Sequence, residues 1–284
     1  MKLDICSDRA TCGGILYLSR LGRASAKSEP VTAITGLHNL VAVAHVRFVS
    51  CWMYGEAGGW ELVGTSPHLD IAIEKLAMNV KLGSRIDASI AVSAGPKIKL
   101  WEFPAGQTAA SSPPPHSVAA SAATNPSGEP NILSFDLSVP VDDLFFIGNQ
   151  LVATSQKGKI GVRNADRLSW QVQDLKPINT HDRAGSLLLL GCADGSIYYI
   201  DLEKFPLRMK DNDLLVNHFY SDPNAEPITA LSVYVTTGTA VEKCIEIAYG
   251  TQYGTVRVII QVCSFVIVWI GVLSNPSFFS RTAP

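Results

Sequence analysis

Charged residues are scarce in this sequence, and neither sign of charge dominates. Asp, Glu, Lys and Arg make up 17% of the 284 residues, with 23 Lys and Arg against 25 Asp and Glu. A nucleic-acid-binding chain normally carries a basic block or stripe, and none stands out here. The composition therefore predicts that nucleic acid is not a partner. Apolar residues reach 47%, which excludes general disorder because such a chain has ample surface to bury.

Motifs for nucleotide binding and for hydrolysis are also missing. The sequence has no G-x-x-x-x-G-K-[ST] phosphate loop, no G-x-G-x-x-G and no G-x-S-x-G nucleophile elbow. Ser66, His68 and Asp70 lie in one short segment, where a catalytic triad rarely aligns, so a solvated turn is expected. We therefore predict a protein that is not an enzyme, with no cofactor, no metal site and no small-molecule substrate.

The six cysteines form no C-x-x-C pair. Four of them stand singly in apolar stretches, where a reduced thiol behaves as a small hydrophobe. The N-terminus has no apolar run long enough for a secretory signal. These features predict a reducing, intracellular environment and a cytoplasmic location.

Short β-rich runs separated by turns recur along the chain. The clearest pair is Leu187–Cys192 and Ser196–Asp201, joined through Asp194-Gly195. An Asp-Gly pair between such runs predicts a hairpin in which both turn residues have positive φ. Four further copies place Arg47, Pro96, Gly158 and Gly254 in the same turn position. A turn is also expected to open at His181-Asp182-Arg183, where Asp commonly bonds its own backbone.

The turns recur at intervals of roughly 40 residues with loop insertions, which is the repeat of a β-propeller blade. Trp101 follows its turn in the position of the Trp of a WD motif. Residues 69–80 have helical apolar spacing, but the repeat assigns them to an entry or outer strand. The sequence thus predicts an all-β fold, an incomplete WD40-like β-propeller of about five degenerate blades.

Composition divides the chain into three segments. Residues 1–30 are expected to be a leader or linker, residues 31–261 the partial propeller, and residues 262–284 a hydrophobic tail. Within the propeller, residues 104–130 are rich in Ala, Ser and Pro and are predicted to be a disordered insertion. Pro113-Pro114-Pro115 would also suit SH3 or WW domains as a polyproline ligand, but a solvated insertion is favoured.

Residues 145–162, 195–215, 227–235 and 245–261 carry a family resemblance. They resemble the BTB/POZ proteins of the potassium-channel-tetramerisation-domain group, which have a C-terminal WD40-like propeller. That family includes a branch that binds an SH3-containing endocytic adaptor and a branch that assists an ion channel. The resemblance implies a non-enzymatic scaffold whose BTB domain oligomerises and recruits ubiquitin ligases while the propeller docks partners. No BTB pattern precedes residue 30, and the family's further blades and its Pro/Arg-rich tail with the SH3 ligands are not found. We therefore expect a fragment to which oligomerisation, ubiquitin-ligase binding and SH3-adaptor binding do not transfer.

The charged segment from Glu203 to Asp213 is the candidate binding surface in the sequence. It sets apolar side chains among charges, an arrangement that presents an anchor within a polar rim to another protein. The candidate protein-binding residues are Lys204, Phe205, Arg208, Met209, Lys210 and Asp211. A connector whose apolar residues pack under the next blade is the favoured alternative.

Residues 258–279 carry no charge, and their length is just sufficient to cross a bilayer. A membrane-tethered fragment is therefore an alternative function, although β-branched residues favour a strand and a membrane is not the expected partner. We expect residues 265–270 to pair with a sheet edge or to cover an unclosed terminal blade. The same unclosed edge allows self-association. An enzyme on a propeller scaffold is the least supported alternative, because no convergent acids or metal ligands are evident.

Overall fold

The computed structural model describes residues 2–4, 15–17, 29–55, 58–82, 86–104, 132–164, 169–202, 216–235, 244–262 and 265–269. Every regular element within these ranges is a β-strand. The chain divides into two compact units, residues 1–151 and residues 152–284.

The first unit contains one two-stranded and two four-stranded sheets. In the segment predicted to be a leader or linker, β1 (Lys2–Asp4) pairs with β2 (Ile15–Tyr17). The first four-stranded sheet consists of β3 (Val31–Leu37), β4 (Leu40–His45), β5 (Val49–Gly55) and β6 (Gly59–Thr65). The second consists of β7 (Lys75–Leu82), β8 (Ile86–Ala94), β9 (Lys97–Pro104) and β10 (Leu133–Asp136). Residues 105–131, which make up nearly all of the predicted insertion, lie outside the described residues.

Three further sheets follow in chain order. The third consists of β11 (Asp143–Ile147), β12 (Gln150–Ser155), β13 (Lys159–Asn164) and β14 (Ser169–Asp174). The fourth consists of β15 (Ile178–Ala184), β16 (Leu187–Cys192), β17 (Ser196–Asp201) and β18 (Asn217–Ser221). The fifth consists of β19 (Ile228–Val235), β20 (Cys244–Thr251), β21 (Val256–Val262) and β22 (Phe265–Trp269).

All five four-stranded sheets have the same up-and-down strand order. This regularity confirms the predicted all-β chain with five blade-like repeats. The fifth sheet extends past Gln261, because β22 pairs antiparallel with β21 from Phe265 to Trp269. The boundary predicted between propeller and tail therefore lies inside this sheet. The pairing with a sheet edge that was expected for residues 265–270 is found at β21 for residues 265–269.

The second strand of a sheet is its most buried strand. β4, β12 and β16 are buried along almost their whole length, whereas the outer strands β6, β14 and β18 are half-buried or exposed. A strand packed on both faces needs apolar side chains on both, which explains its continuous apolar sequence.

An apolar core joins the first and second sheets. Trp101 is buried in it together with Leu40 and Ile90. Leu69 and Ile73 enter the same core from the connector that precedes β7. The helical spacing of residues 69–80 therefore combines two connector side chains with a strand. The predicted strand is confirmed from Lys75 onward, whereas residues 69–74 form the connector.

The fourth and fifth sheets share a second core, and their first strands, β15 and β19, lie side by side. The backbone N–H of Val233 in β19 donates to Oδ2 of Asp182 in β15 at 2.8 Å. The prediction that residues 181–183 open a turn is wrong. Asp182 lies within a strand, where its carboxylate accepts a backbone N–H of the neighbouring sheet.

The turn at Asp194-Gly195 differs from the predicted form. Only Gly195 has positive φ (83°), and its N–H donates to the carbonyl of Cys192 at 3.2 Å. The turn therefore has three residues and ends in a left-handed glycine, an alternative to the two-residue hairpin. Gly158 and Gly254 occupy the equivalent positions with the same φ of 83°.

Candidate protein-interaction surface

The residues predicted to bind proteins, Lys204, Phe205, Arg208, Met209, Lys210 and Asp211, lie outside the described residues. Their segment joins β17 to β18. At its start, the N–H of Leu202 donates to the carbonyl of Ser186 at 2.9 Å. At its end, the N–H of Val216 donates to Oε1 of Gln173 at 3.0 Å. The binding role of this segment stays a prediction.

The turns between second and third strands mark one edge of every sheet, which we call the turn edge. At four turn edges, the connector to the next sheet donates a backbone N–H to a turn carbonyl. The donor–acceptor pairs are Leu69–Arg47 at 2.7 Å, Val141–Gly95 at 2.9 Å, Leu175–Gly158 at 2.7 Å and Asp222–Gly195 at 2.8 Å. The connector thus holds each turn in a fixed position at its edge.

Asp222 begins the connector from the fourth to the fifth sheet and is buried. Its Oδ2 accepts the hydroxyl of Tyr249 at 2.9 Å and forms an ion pair with the guanidinium of Arg257. Oδ1 accepts the backbone N–H of Asn224 at 2.9 Å. Because a buried carboxylate is costly without such partners, this set of bonds fixes the connector against β20 and β21.

A second set of bonds fastens the other end of the connector to the fifth turn. The Glu226 carboxylate accepts the hydroxyl of Thr251 through Oε2 and the side-chain amide of Asn224 through Oε1 at 3.1 Å. The N–H of Gln252 donates to the carbonyl of Pro227 at 2.9 Å. The hydrogen bonds from Thr251 and Asn224 hold the pKa of Glu226 below its ordinary value, so the side chain is negatively charged at neutral pH.

Tyr253 lies in the fifth-sheet turn, which these hydrogen bonds hold to the connector, and its side chain is 75% exposed. Tyr is an enriched residue at protein interfaces because it offers a large apolar ring with a polar end. The two residues before it in the turn, Thr251 and Gln252, are bonded to the connector at Glu226 and Pro227. We call this set the tip surface, and it comprises Asp194, Asn224, Ala225, Glu226, Gln252 and Tyr253.

The fourth-sheet turn belongs to this surface because a connector residue packs on it. A Cβ built on Gly195 would lie 3.0 Å from the Cα of Ala225, so turn and connector are in direct contact.

The sequence carried one signal of the site. The position before the left-handed glycine is Lys157 in the third sheet, Asp194 in the fourth and Tyr253 in the fifth. An aromatic residue at a turn position that faces solvent indicates an interaction role.

The fifth sheet also has a partly exposed flat face. Val233 and Ile247 point into the core shared with the fourth sheet, so the alternate residues face the other way. Strand register aligns Ser232 with Ala248 and Val258, and Tyr234 with Glu246 and Ile260. We call these six residues the outward face; Tyr234 is 61% exposed. Ser232 and Tyr234 are exposed and the other four residues are half-buried, so the expectation of an open face on the last blade stays a prediction.

The residues considered for chemistry have separate roles. Ser66 is buried and its Oγ accepts the backbone N–H of Val49 at 2.9 Å, so the expectation of a solvated turn is wrong for this residue. Asp70 pairs with Lys99 at 2.7 Å, and that hydrogen bond lowers the pKa of Asp70. His68 is tilted against the ring of Phe48. Within the described part of the chain, no group of three His, Cys, Asp or Glu side chains is placed to hold a metal ion.

Cys51 and Cys192 are free and buried, as expected for thiols that act as small hydrophobes. Burial raises the pKa of the Cys51 thiol to about 11 and that of Cys192 to about 12, with the Asp194 carboxylate adding to the shift at Cys192. A thiol of this kind is protonated at neutral pH and is a poor nucleophile.

The described part of residues 258–279 is a β-hairpin formed by β21 and β22. The described part of the chain contains no helix that is long and apolar enough to span a membrane.

Sequence comparison gives the first match to known proteins. The family described as SHKBP1/KCTD3 C-terminal beta-propeller matches residues 30–270. BTB/POZ domain-containing protein KCTD3 of Homo sapiens is 49% identical over 237 residues, which are 81% of this chain and 26% of that protein. SH3KBP1-binding protein 1 of Bos taurus is 48% identical over 237 residues, 81% of this chain and 31% of that protein. The chain therefore spans less than a third of the length of these relatives.

Solved structures show the same fold. The WD40 domain of SCAP from fission yeast has a TM-score of 0.51 and 15% identity, covering 86% of this chain and 59% of that chain. The complex of the fission yeast SREBP–SCAP binding domains has a TM-score of 0.52 and 14% sequence identity, and the match covers 95% of this chain and 69% of that chain. These matches confirm the predicted WD40-like fold, and the family match confirms the resemblance seen in the sequence.

Proposed function

Because the chain belongs to the SHKBP1/KCTD3 C-terminal beta-propeller family, we propose that it is a non-enzymatic scaffold module that docks other proteins through the tip surface. The observation that carries this proposal is Tyr253, an exposed aromatic ring on a turn that buried ionic and hydrogen bonds hold in place. A preorganised anchor loses little conformational entropy when a partner binds. One relative is named for binding SH3KBP1, so SH3KBP1 is the named protein to test, although the sequence predicts that this binding does not transfer.

Four other expectations belong to the same proposal. The protein works without a cofactor, a nucleic acid or a small-molecule substrate, and it resides in the cytoplasm. A membrane tether through residues 258–279 has less support, since residues 258–262 and 265–269 pair as strands. A propeller enzyme has less support still, because the sequence contains no phosphate loop and no nucleophile elbow.

Quantitative affinity purification from cells tests the docking function. We expect Tyr253→Ala to lose the partners that the unmodified chain retains, with SH3KBP1 followed individually. Lys157→Ala is the matched control, because Lys157 precedes a left-handed glycine in the equivalent turn. Thermal melts establish that both variants fold. An identical partner set for all three chains would contradict the proposal.

A second proposal is self-association through the outward face. It is favoured by Tyr234, whose side chain is largely exposed on a sheet face where Glu246 lies directly opposite and Ser232 and Ala248 form the next pair. Flat apolar sheet faces are common sites of association. Sedimentation velocity over a concentration series should show association that Tyr234→Arg abolishes. A monomer at all concentrations would contradict this second proposal.

A further inference from the structure

We infer that the tip surface takes an extended, arginine-bearing segment of a partner protein, with a guanidinium between the Tyr253 ring and the Glu226 carboxylate. This inference rests on the proposed docking function and adds the chemistry of the bound segment.

The charge of the described residues around the tip is negative. In residues 193–196, 222–227 and 251–257, the charged side chains are Asp194, Asp222, Glu226 and Arg257. Asp222 and Arg257 are buried against each other, so their charges largely cancel. Glu226 and Asp194 remain to act on a partner. A cationic segment is complementary to this surface, and an acidic one is repelled.

Glu226 has the capacity and the position to receive a guanidinium. Oε2 accepts a hydrogen bond from Thr251 and Oε1 accepts one from Asn224, and the Thr255 side chain is a further donor to this carboxylate. A carboxylate offers about four lone-pair sites, so further donors can bind. These internal bonds hold the group in one orientation, and arginine suits such a group because it donates in a planar fork.

Tyr253 supplies the second contact. Its exposed ring offers a π-face to a cation, and arginine is the cation that most often uses it. Gln252 and Asn224 add amide groups that bond the backbone of an extended segment.

The neighbouring turn edge sets the direction of the bound segment. The third-sheet turn and its connector carry Lys157, Lys159 and Lys176 against Asp174. The N–H of Ala193 bonds the carbonyl of Pro177 at 2.9 Å, which makes this basic edge continuous with the fourth-sheet turn. In the bound segment, cationic residues are therefore favoured next to Glu226 and disfavoured at the end that lies toward Lys157.

Fluorescence anisotropy with the full chain and a labelled peptide of alternating Gly and Arg tests the inference. We expect saturable binding that weakens as salt is added, and no binding of the same peptide with citrulline in place of arginine. Glu226→Gln should weaken binding about fivefold to tenfold, through loss of a charge-assisted hydrogen bond. Tyr253→Ala should weaken it about threefold to tenfold.

Lys157→Ala is the control, and it should leave binding unchanged or slightly stronger. Equal binding of the citrulline peptide, or equal affinity of Glu226→Gln and the unmodified chain, overturns the inference. If Tyr253→Ala loses protein partners while the arginine peptide fails to bind, the docking function stands and the inference fails. If the peptide binds but partner capture does not depend on Tyr253, the docking function fails instead.

Discussion

The hydroxyl of Tyr249 donates a hydrogen bond of 2.9 Å to the buried carboxylate of Asp222. Tyr249 belongs to the second strand of the fifth sheet, and Asp222 to the connector that arrives from the fourth sheet. This one bond therefore ties the tip surface to the interior of the sheet. A partner that docks as proposed would meet a surface that is already ordered, which lowers the entropic cost of binding.

Removing that hydroxyl should destabilise the fold. Tyr249→Phe leaves the Asp222 carboxylate with one donor fewer in a buried site, and we expect a loss of about 1–2 kcal/mol in the free energy of unfolding. Equilibrium urea denaturation measures it. Tyr253→Phe removes an exposed hydroxyl and should have no effect. Equal stability of Tyr249→Phe and the unmodified chain would show that the bond is not structural.

Two glycines with the same backbone angle should respond differently to substitution. A Cβ on Gly158 would lie 2.5 Å from the carbonyl oxygen of Leu175, whereas a Cβ on Gly254 meets nothing within 4 Å. Both have φ of 83°. Gly254→Ala should cost about 1 kcal/mol through left-handed strain alone, and Gly158→Ala should cost clearly more. Melting temperatures under identical conditions give the order, and the reverse order would refute the packing of this connector.

The carboxylate of Asp182 accepts a backbone N–H of the next sheet, so its removal should loosen the contact between β15 and β19. Asp182→Ala leaves the N–H of Val233 without this acceptor, and we expect a loss of about 1–3 kcal/mol in stability. Asp182→Asn keeps an acceptor oxygen and should recover part of the loss. Hydrogen exchange at Val233 reports the site directly. Unchanged protection in Asp182→Ala would count against the contact.

Stability should fall at alkaline pH because the buried thiols resist ionisation. The pKa of Cys192 rises from 9.0 to about 12, so an unfolded chain ionises this thiol at a lower pH than the folded chain does. Its contribution is fully present below about pH 9 and is lost as pH rises toward 12, at a rate of about 1.4 kcal/mol per pH unit. Urea denaturation at pH 8 and at pH 10 should show a smaller decline for Cys192→Ala. Parallel declines would contradict this assignment.

The repeat could be predicted from the sequence because its signals are local. Gly158, Gly195 and Gly254 recur where the backbone needs positive φ, and short apolar runs flank them. Buried thiols in apolar strands were predictable for the same reason. The form of the Asp194-Gly195 turn was not, because an Asp-Gly pair suits both two-residue and three-residue hairpins.

The tip surface could not be predicted because its parts come from distant elements. Asp222, Tyr249 and Arg257 meet only after two strands and a connector have packed. The prediction of a turn at Asp182 was wrong for a related reason, because the partner of its carboxylate, the N–H of Val233, lies in another sheet. Tyr253 alone left a readable signal, as an aromatic residue directly before a turn glycine.

Site-specific photocrosslinking tests the central claim most directly. A benzoylphenylalanine placed at position 253 should crosslink to a partner protein in cells, while the same group at position 157 should not. Competition by the arginine peptide should reduce the crosslink at position 253. A crosslink of equal yield at both positions, or none at position 253 in a chain that still captures its partners, would contradict docking at the tip surface.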